Sequence, residues 1–181
     1  VNVAVSETDD PRGAWNIYPI PAPGGRDGGG IGFSKTWIGY TFPGGPEQTF
    51  VLKMEEAKAG KPVTVFHFKG SLGHPVATQD DEDDLYFVSI QNKRITVRRV
   101  YEDEGGNAMV KQVGSALHGL TNFKWPPKSP QKGTDQLTAS GDRNPKNLVL
   151  QNNHIWFSQT IDIDGRAAVQ WHQVKTDATI V

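Results

Sequence analysis

Leu85-Tyr86-Phe87-Val88-Ser89-Ile90 is an unbroken apolar run, and three residues later Arg94-Ile95-Thr96-Val97-Arg98-Arg99-Val100 alternates, with Ile95, Val97 and Arg99 on one face and Arg94, Thr96 and Arg98 on the other. The first reads as a strand buried on both faces, the second as a strand solvated on one. The pair recurs on either side. Thr36-Trp37-Ile38-Gly39-Tyr40-Thr41 is followed by Gln48-Thr49-Phe50-Val51-Leu52, and Ile155-Trp156-Phe157-Ser158-Gln159-Thr160 by Ala168-Val169-Gln170-Trp171-His172-Gln173-Val174. Each first strand has an aromatic at its second position. A further short strand precedes each one, near Ile31-Gly32-Phe33, Pro75-Val76-Ala77-Thr78 and Leu148-Val149-Leu150.

Inner strands hidden on both sides and outer strands wet on one are the pattern of radially stacked four-stranded sheets. The predicted fold is all-β, of β-propeller type, with about three four-stranded antiparallel blades that form part of a larger ring. A β-sandwich with similar strands is the alternative. The chain reads as one segment, with blade parts near 1–20, 30–68, 74–113 and 140–181. Residues 114–139 read as a long loop that includes the Pro-rich stretch Phe123 to Gly133. Met54-Glu55-Glu56-Ala57-Lys58-Ala59, stopped by Gly60 and Pro62, is the only good helix signal.

Composition narrows the function. The 181 residues include 19 basic and 20 acidic side chains, a net charge of −1, so no bulk attraction to nucleic acid or anionic membrane is expected. There is no cysteine, which excludes disulfides, thiolate metal sites and a cysteine nucleophile. No apolar run approaches the roughly 20 residues of a membrane span. Val1 to Ser6 and Thr179-Ile180-Val181 both read as the interior of strands, so a processed or incomplete piece of a longer chain is expected.

Ser6-Glu7-Thr8-Asp9-Asp10-Pro11-Arg12-Gly13-Ala14-Trp15 joins two strands. Asp10 can bond its own turn, Pro11 fixes φ near −65°, Gly13 takes the left-handed position, and Trp15 restarts a strand with a large ring. Ser6, Thr8, Asp10, Pro11, Gly13 and Trp15 thus form a structural motif that holds a hairpin.

That motif, Ser6-x-Thr8-x-Asp10-Pro11-x-Gly13-x-Trp15, resembles the Asp-box-related hairpins of exported bacterial β-propeller proteins with sialidase-like blades. Pro75 to Ser89 is similar to the next blade of that family. Gly141-Asp142-Arg143, His154 to Ser158 and Gly165 to Val174 are similar to the one after, in family order. The resemblance implies an exported protein, secreted or at the bacterial cell surface, with a binding role more often than a catalytic one.

Candidate chemistry is sparse. Asp80, Asp81 and Asp83 within Asp80-Asp81-Glu82-Asp83-Asp84 could offer oxygens to Ca²⁺, and Asp162 and Asp164 within Asp162-Ile163-Asp164-Gly165 likewise. The same residues suit a solvated loop and an Asp-Gly hairpin turn. Gly24-Gly25-Arg26-Asp27-Gly28-Gly29-Gly30 lacks the helix and lysine of a phosphate loop. Five histidines show no metal-ligand spacing. Trp37 and Trp156 read as wedges between blades. A sialidase would need an arginine cluster; Arg94, Arg98, Arg99, Arg143 and Arg166 are available, but nothing in the sequence gathers them.

The expected function is therefore a non-catalytic surface-binding or structural segment, an assembly subunit. It would associate with other protein chains, a second copy, or the rest of a longer polypeptide, and carbohydrate is a candidate ligand. The alternative is a sialidase-like glycoside hydrolase or lyase acting in a central cleft.

Overall fold

A computed structural model describes residues 2–20, 29–42, 48–70, 72–91, 93–117, 124–141 and 143–181. Most of the glycine-rich run at 24–30, together with His118, Phe123 and Asp142, lies outside the described residues. The fold is all-β, and its strands pair mainly antiparallel. A hairpin opens the chain, β1 (Asn2–Ser6) on β2 (Trp15–Pro19). The first meander is β3 (Gly30–Phe33), β4 (Trp37–Phe42), β5 (Gln48–Lys53) and β6 (Val65–Lys69), with α1 (Met54–Lys58), the single helix among the described residues, between the last two. The second is β7 (His74–Pro75), its continuation β8 (Ala77–Thr78), β9 (Leu85–Gln91), β10 (Arg94–Glu102) and β11 (Ala108–Leu117). A small hairpin, β12 (Ser129–Gln131) and β13 (Thr134–Thr138), precedes the third meander of β14 (Lys146–Gln151), β15 (His154–Ile163) and β16 (Arg166–Lys175).

The first strands of the three meanders lie side by side. Val76 accepts the Phe33 N–H at 3.1 Å and donates its own to Tyr86 at 2.9 Å. Ala77 pairs in parallel with Phe33 of β3 and Val149 of β14. Through β8 the first and third meanders join in one eight-stranded sheet, while the second remains its own four-stranded sheet. This close approach explains Gly32, since a Cβ there would stand 2.6 Å from the Val76 carbonyl oxygen.

Three apolar clusters fix the order of stacking. Val3, Tyr18 and Ile20 of the opening hairpin pack with Ile38, Phe42, Phe50, Leu52 and Ala57. Trp37 and Val51, on the other side of the first meander, meet Leu85, Phe87 and Val100 of the second. Tyr86, Val88, Ile95 and Val97 then face Leu148, Leu150, Ile155, Phe157 and Val174 of the third. Each fully buried Leu, Val, Ile or Phe here contributes about 1.5–3 kcal/mol. The alternation read from β10 holds, because its bulge falls on β11, where Val97 pairs with Gly114 and Arg98 with Gln112.

Three expectations change. The third meander has three strands, with only a bridge from Ile180 to Val174 along its outer edge, rather than four. The stretch at 114–139 is not one loop: β11 runs on to Leu117, and Gly133, at φ 80°, turns β12 into β13. Trp156 is no wedge among the described residues, being 39% exposed where Trp37 is 0% exposed.

Candidate binding surface

The exposure of Trp156 follows from strand alternation. Ile155, Phe157 and Ile161 of β15 point into the stack, so Trp156, Ser158 and Thr160 point away from it. In β16, His172 stacks on Phe157 with ring centres 4.8 Å apart, which leaves Trp171 on the outward side at 67% exposure. Trp156 and Trp171 lie against each other there, centroids 5.9 Å apart and 25° from parallel. A shallow cavity of about 310 Å³ forms around them, lined also by Asn147, Val149 and Ser158. The surface offers two indole faces, aliphatic flanks and a few neutral hydrogen-bonding groups.

At the other end of the stack lies a groove of about 700 Å³. Val3, Ala4, Val5 and Ser6 line it consecutively, as the open backbone edge of β1 would, and Ile31, Phe33 and Met54 form its apolar floor. The hairpin above it is held by the motif read from the sequence. Ser6 pairs with Trp15 at the end of the ladder, and the Thr8 hydroxyl accepts the Asp10 N–H at 3.3 Å. The Asp10 carboxylate accepts the Arg12 N–H at 3.0 Å and its guanidinium at 3.0 Å, and the Pro11 carbonyl accepts the Trp15 indole N–H at 3.0 Å. Arg12 thereby holds the Asp10 carboxyl below the usual carboxylate range, through its side chain first and its backbone N–H second. Gly13 donates its N–H to the Asp10 carbonyl, and its φ is not positive, so it closes the turn without the left-handed conformation expected of it. The hairpin is tied down by Tyr18, whose hydroxyl donates to the Ala57 carbonyl at 2.8 Å.

Four of the five carboxylates singled out for Ca²⁺ are engaged in structural bonds. Asp80 accepts the N–H groups of Asn152 and Asn153, both at 2.8 Å, and so clamps the β14–β15 turn, whose two residues have φ of 52° and 60°. Asp81 pairs with Lys35 at 2.9 Å, and Asp83 accepts the Thr36 hydroxyl at 3.2 Å. Asp162 accepts the Gly165 N–H at 2.7 Å, and Asp164 and Gly165 take φ of 52° and 75°, the geometry an Asp-Gly hairpin turn needs. Asp80 and Asp162 stand near opposite ends of β15, roughly 26 Å apart at about 3.3 Å per residue. The two groups therefore cannot share an ion. Among the described residues no cluster of three or more His, Asp or Glu could hold one.

Where the first strands of the meanders meet, a cavity of about 420 Å³ is lined by Gly30, Ile31, His74, Pro75, Lys146 and Asn147 among others. No carboxylate or arginine is among the described residues lining it. The arginines are dispersed. Arg98 donates to the Leu72 carbonyl and Ser89 hydroxyl, and its partial burial lowers its pKa. Arg99 pairs with Asp84, Arg94 donates to Ser115, and Arg143 lies over the Trp125 ring at 4.9 Å.

The chain matches no family model, no curated protein and no solved structure. No described helix is long and apolar enough to cross a membrane. Sequence reading missed the surface made by Val149, Val169 and the two indoles. Its signal was present, as two-residue periodicity without charge: Trp156-x-Ser158-x-Thr160 and Ala167-x-Val169-x-Trp171-x-Gln173.

Proposed function

We propose that the chain is a β-propeller-type segment of an exported bacterial protein, with a non-catalytic binding or structural role at the cell surface. It works in association with other protein chains or with the rest of a longer polypeptide. The observation that carries this reading is the outward face of the third meander. Trp156 stands where Trp37 and Tyr86 stand in the first two meanders, and those two are covered by the following sheet. An apolar face of this kind marks an interaction site.

Three further features support it. Stacked antiparallel meanders whose first strands run parallel suit propeller blades. The hairpin bonding of Asp10 and Trp15 suits an Asp-box-like motif. None of the described residues lining the cavity where the first strands meet is a carboxylate, and a carboxylate pair is the chemistry a glycoside hydrolase uses. The test is to measure the intact mass and native size of the protein in its source organism, together with turnover of aryl glycosides. A larger polypeptide or a complex, without turnover, is expected. A folded monomer of 19.9 kDa in the source, or turnover, would overturn the reading.

A further inference from the structure

The groove beside the opening hairpin has a wall made of backbone. Among the described residues β1 pairs with β2 and with no other strand. Glu7, one residue beyond β1, donates its N–H to the Ala14 carbonyl at 3.0 Å, directly across the same ladder. Antiparallel bonding alternates, so Val3 and Val5 also turn their N–H and C=O groups toward β2. The backbone groups of Asn2, Ala4 and Ser6 therefore point the other way, into the groove that Val3 to Ser6 line. Strand edges of this kind are ordinarily guarded by charge, proline or a bulge. β6 ends in Lys69, and β11 carries Lys111 close to its bulge, but Asn2-Val3-Ala4-Val5-Ser6 has none of these guards.

The floor of the groove is apolar and bare. Ile31 is 57% exposed and Phe33 41% exposed, on the same side of the first meander as Ile38, which the hairpin covers. A strand filling the groove would pair with β1 and cover both. Strand rise, strand spacing and sheet separation give about 160 Å³ per residue of a packed sheet, so about 700 Å³ holds roughly four or five residues, against five in β1. The β1 strand of a second copy does not fit there. The side chains it would set on the floor, Val3 and Val5, already pack on its own first meander. The occupant is thus an extended segment with one side free, apolar at alternate positions to meet Ile31 and Phe33. Charge adds little to its recognition, because Glu7, Asp9 and Asp80 in the groove nearly balance Lys35 and Lys58.

We propose that this groove is a peptide-binding site. An extended segment of a partner protein adds to β1 as a third strand, bonds to the outward groups of Asn2, Ala4 and Ser6, and sets alternate apolar side chains on Ile31 and Phe33. An extended backbone presents donors and acceptors at the same two-residue repeat as the groove wall, which a carbohydrate or a lipid does not. The surface is separate from that of Trp156 and Trp171, and the proposal does not depend on a propeller-type arrangement.

Amide hydrogen exchange of the full chain, read residue by residue by NMR, tests this with a capped Thr-Val-Thr-Val-Thr peptide at up to about 1 mM. The peptide should slow exchange at Ala4 and Ser6 severalfold and leave Val3 and Val5, already held by β2, unchanged. The same peptide N-methylated at every residue keeps its apolar side chains, loses its N–H donors, and should have no effect. Ala4→Pro removes one outward N–H and none of the bonds to β2, a place where a strand edge tolerates proline. It should weaken binding at least about tenfold, the effect of one lost hydrogen bond that leaves its partner unpaired. If Ala4→Pro fails to fold, Ile31→Asp, at an exposed position on the floor, should weaken binding by at least as much. Exchange at Ala4 and Ser6 that the peptide does not slow would overturn the proposal, as would equal binding of the methylated peptide. Slow exchange at both residues before any peptide is added would mean that the protein's own chain or a second copy fills the groove, which overturns it as well.

Discussion

Trp37 and Trp156 occupy matched positions in two meanders, and replacing them should have unequal effects on stability. Trp37 is fully buried between the first and second meanders, edge-on to Phe66 at 5.7 Å, with the Lys53 ammonium 5.8 Å from its ring centre. Truncation to alanine removes that packing and leaves a cavity between two sheets that the strand ladders hold apart. The expected loss is about 3–5 kcal/mol, the range for large aromatic residues in cores. Trp156 is 39% exposed and rests on its outward-facing neighbours Trp171 and Val149, so Trp156→Ala should cost about 1 kcal/mol or less. Urea denaturation followed by circular dichroism, at a concentration low enough to keep the chain monomeric, measures both. Since the larger loss is a sizeable share of the stability of an ordinary domain, Trp37→Phe keeps the comparison measurable if Trp37→Ala fails to fold. Equal losses at the two positions would refute the reasoning, because they would mean that Trp156 is already covered within a single chain.

Asp80→Asn should destabilise the protein by about 1–2 kcal/mol, since it weakens two hydrogen bonds to a charged acceptor across the surface between two meanders. The loss should be the same with calcium or a chelator present; a wild-type urea midpoint that rises with calcium, and an Asp80→Asn midpoint that does not, would reveal an ion site instead. A third expectation concerns acid. The backbone N–H of Asn107 holds Asp103 below its ordinary pKa, and that of Thr179 does the same for Asp177. A carboxylate whose folded pKa is depressed contributes stability above the ordinary range near about 3.9, lost as pH falls through the lower folded value. The urea midpoint should therefore drop as pH is lowered below about 4, and the double variant Asp103→Asn with Asp177→Asn should show a shallower drop.

The strands, their alternation and most turns were legible in the sequence because they depend on neighbours within a few residues. Asp164-Gly165 adopts the two positive φ angles a tight hairpin demands, and Gly60, at φ 65°, ends the helix that begins at Met54. The aromatic at the second position of each inner strand was equally visible. Its environment was not, since Trp37 and Trp156 look alike in sequence and differ only in whether another sheet lies beyond them. The acidic run at 80–84 was ambiguous for a similar reason. A carboxylate beside a turn and a carboxylate beside an ion have the same local sequence, and the turn that Asp80 clamps is 72 residues away.

What the sequence alone determined is the all-β character, the threefold recurrence of paired strands and the hairpin motif from Ser6 to Trp15. These follow from side-chain alternation and turn chemistry, which act locally along the backbone. The tertiary structure decided the order of stacking, the parallel meeting of the first strands through Val76 and Ala77, and the two uncovered faces at its ends. Those depend on which sheet packs on which. Burial is a property of the surroundings in space, so the same tryptophan becomes a core wedge at one position and a contact surface at another.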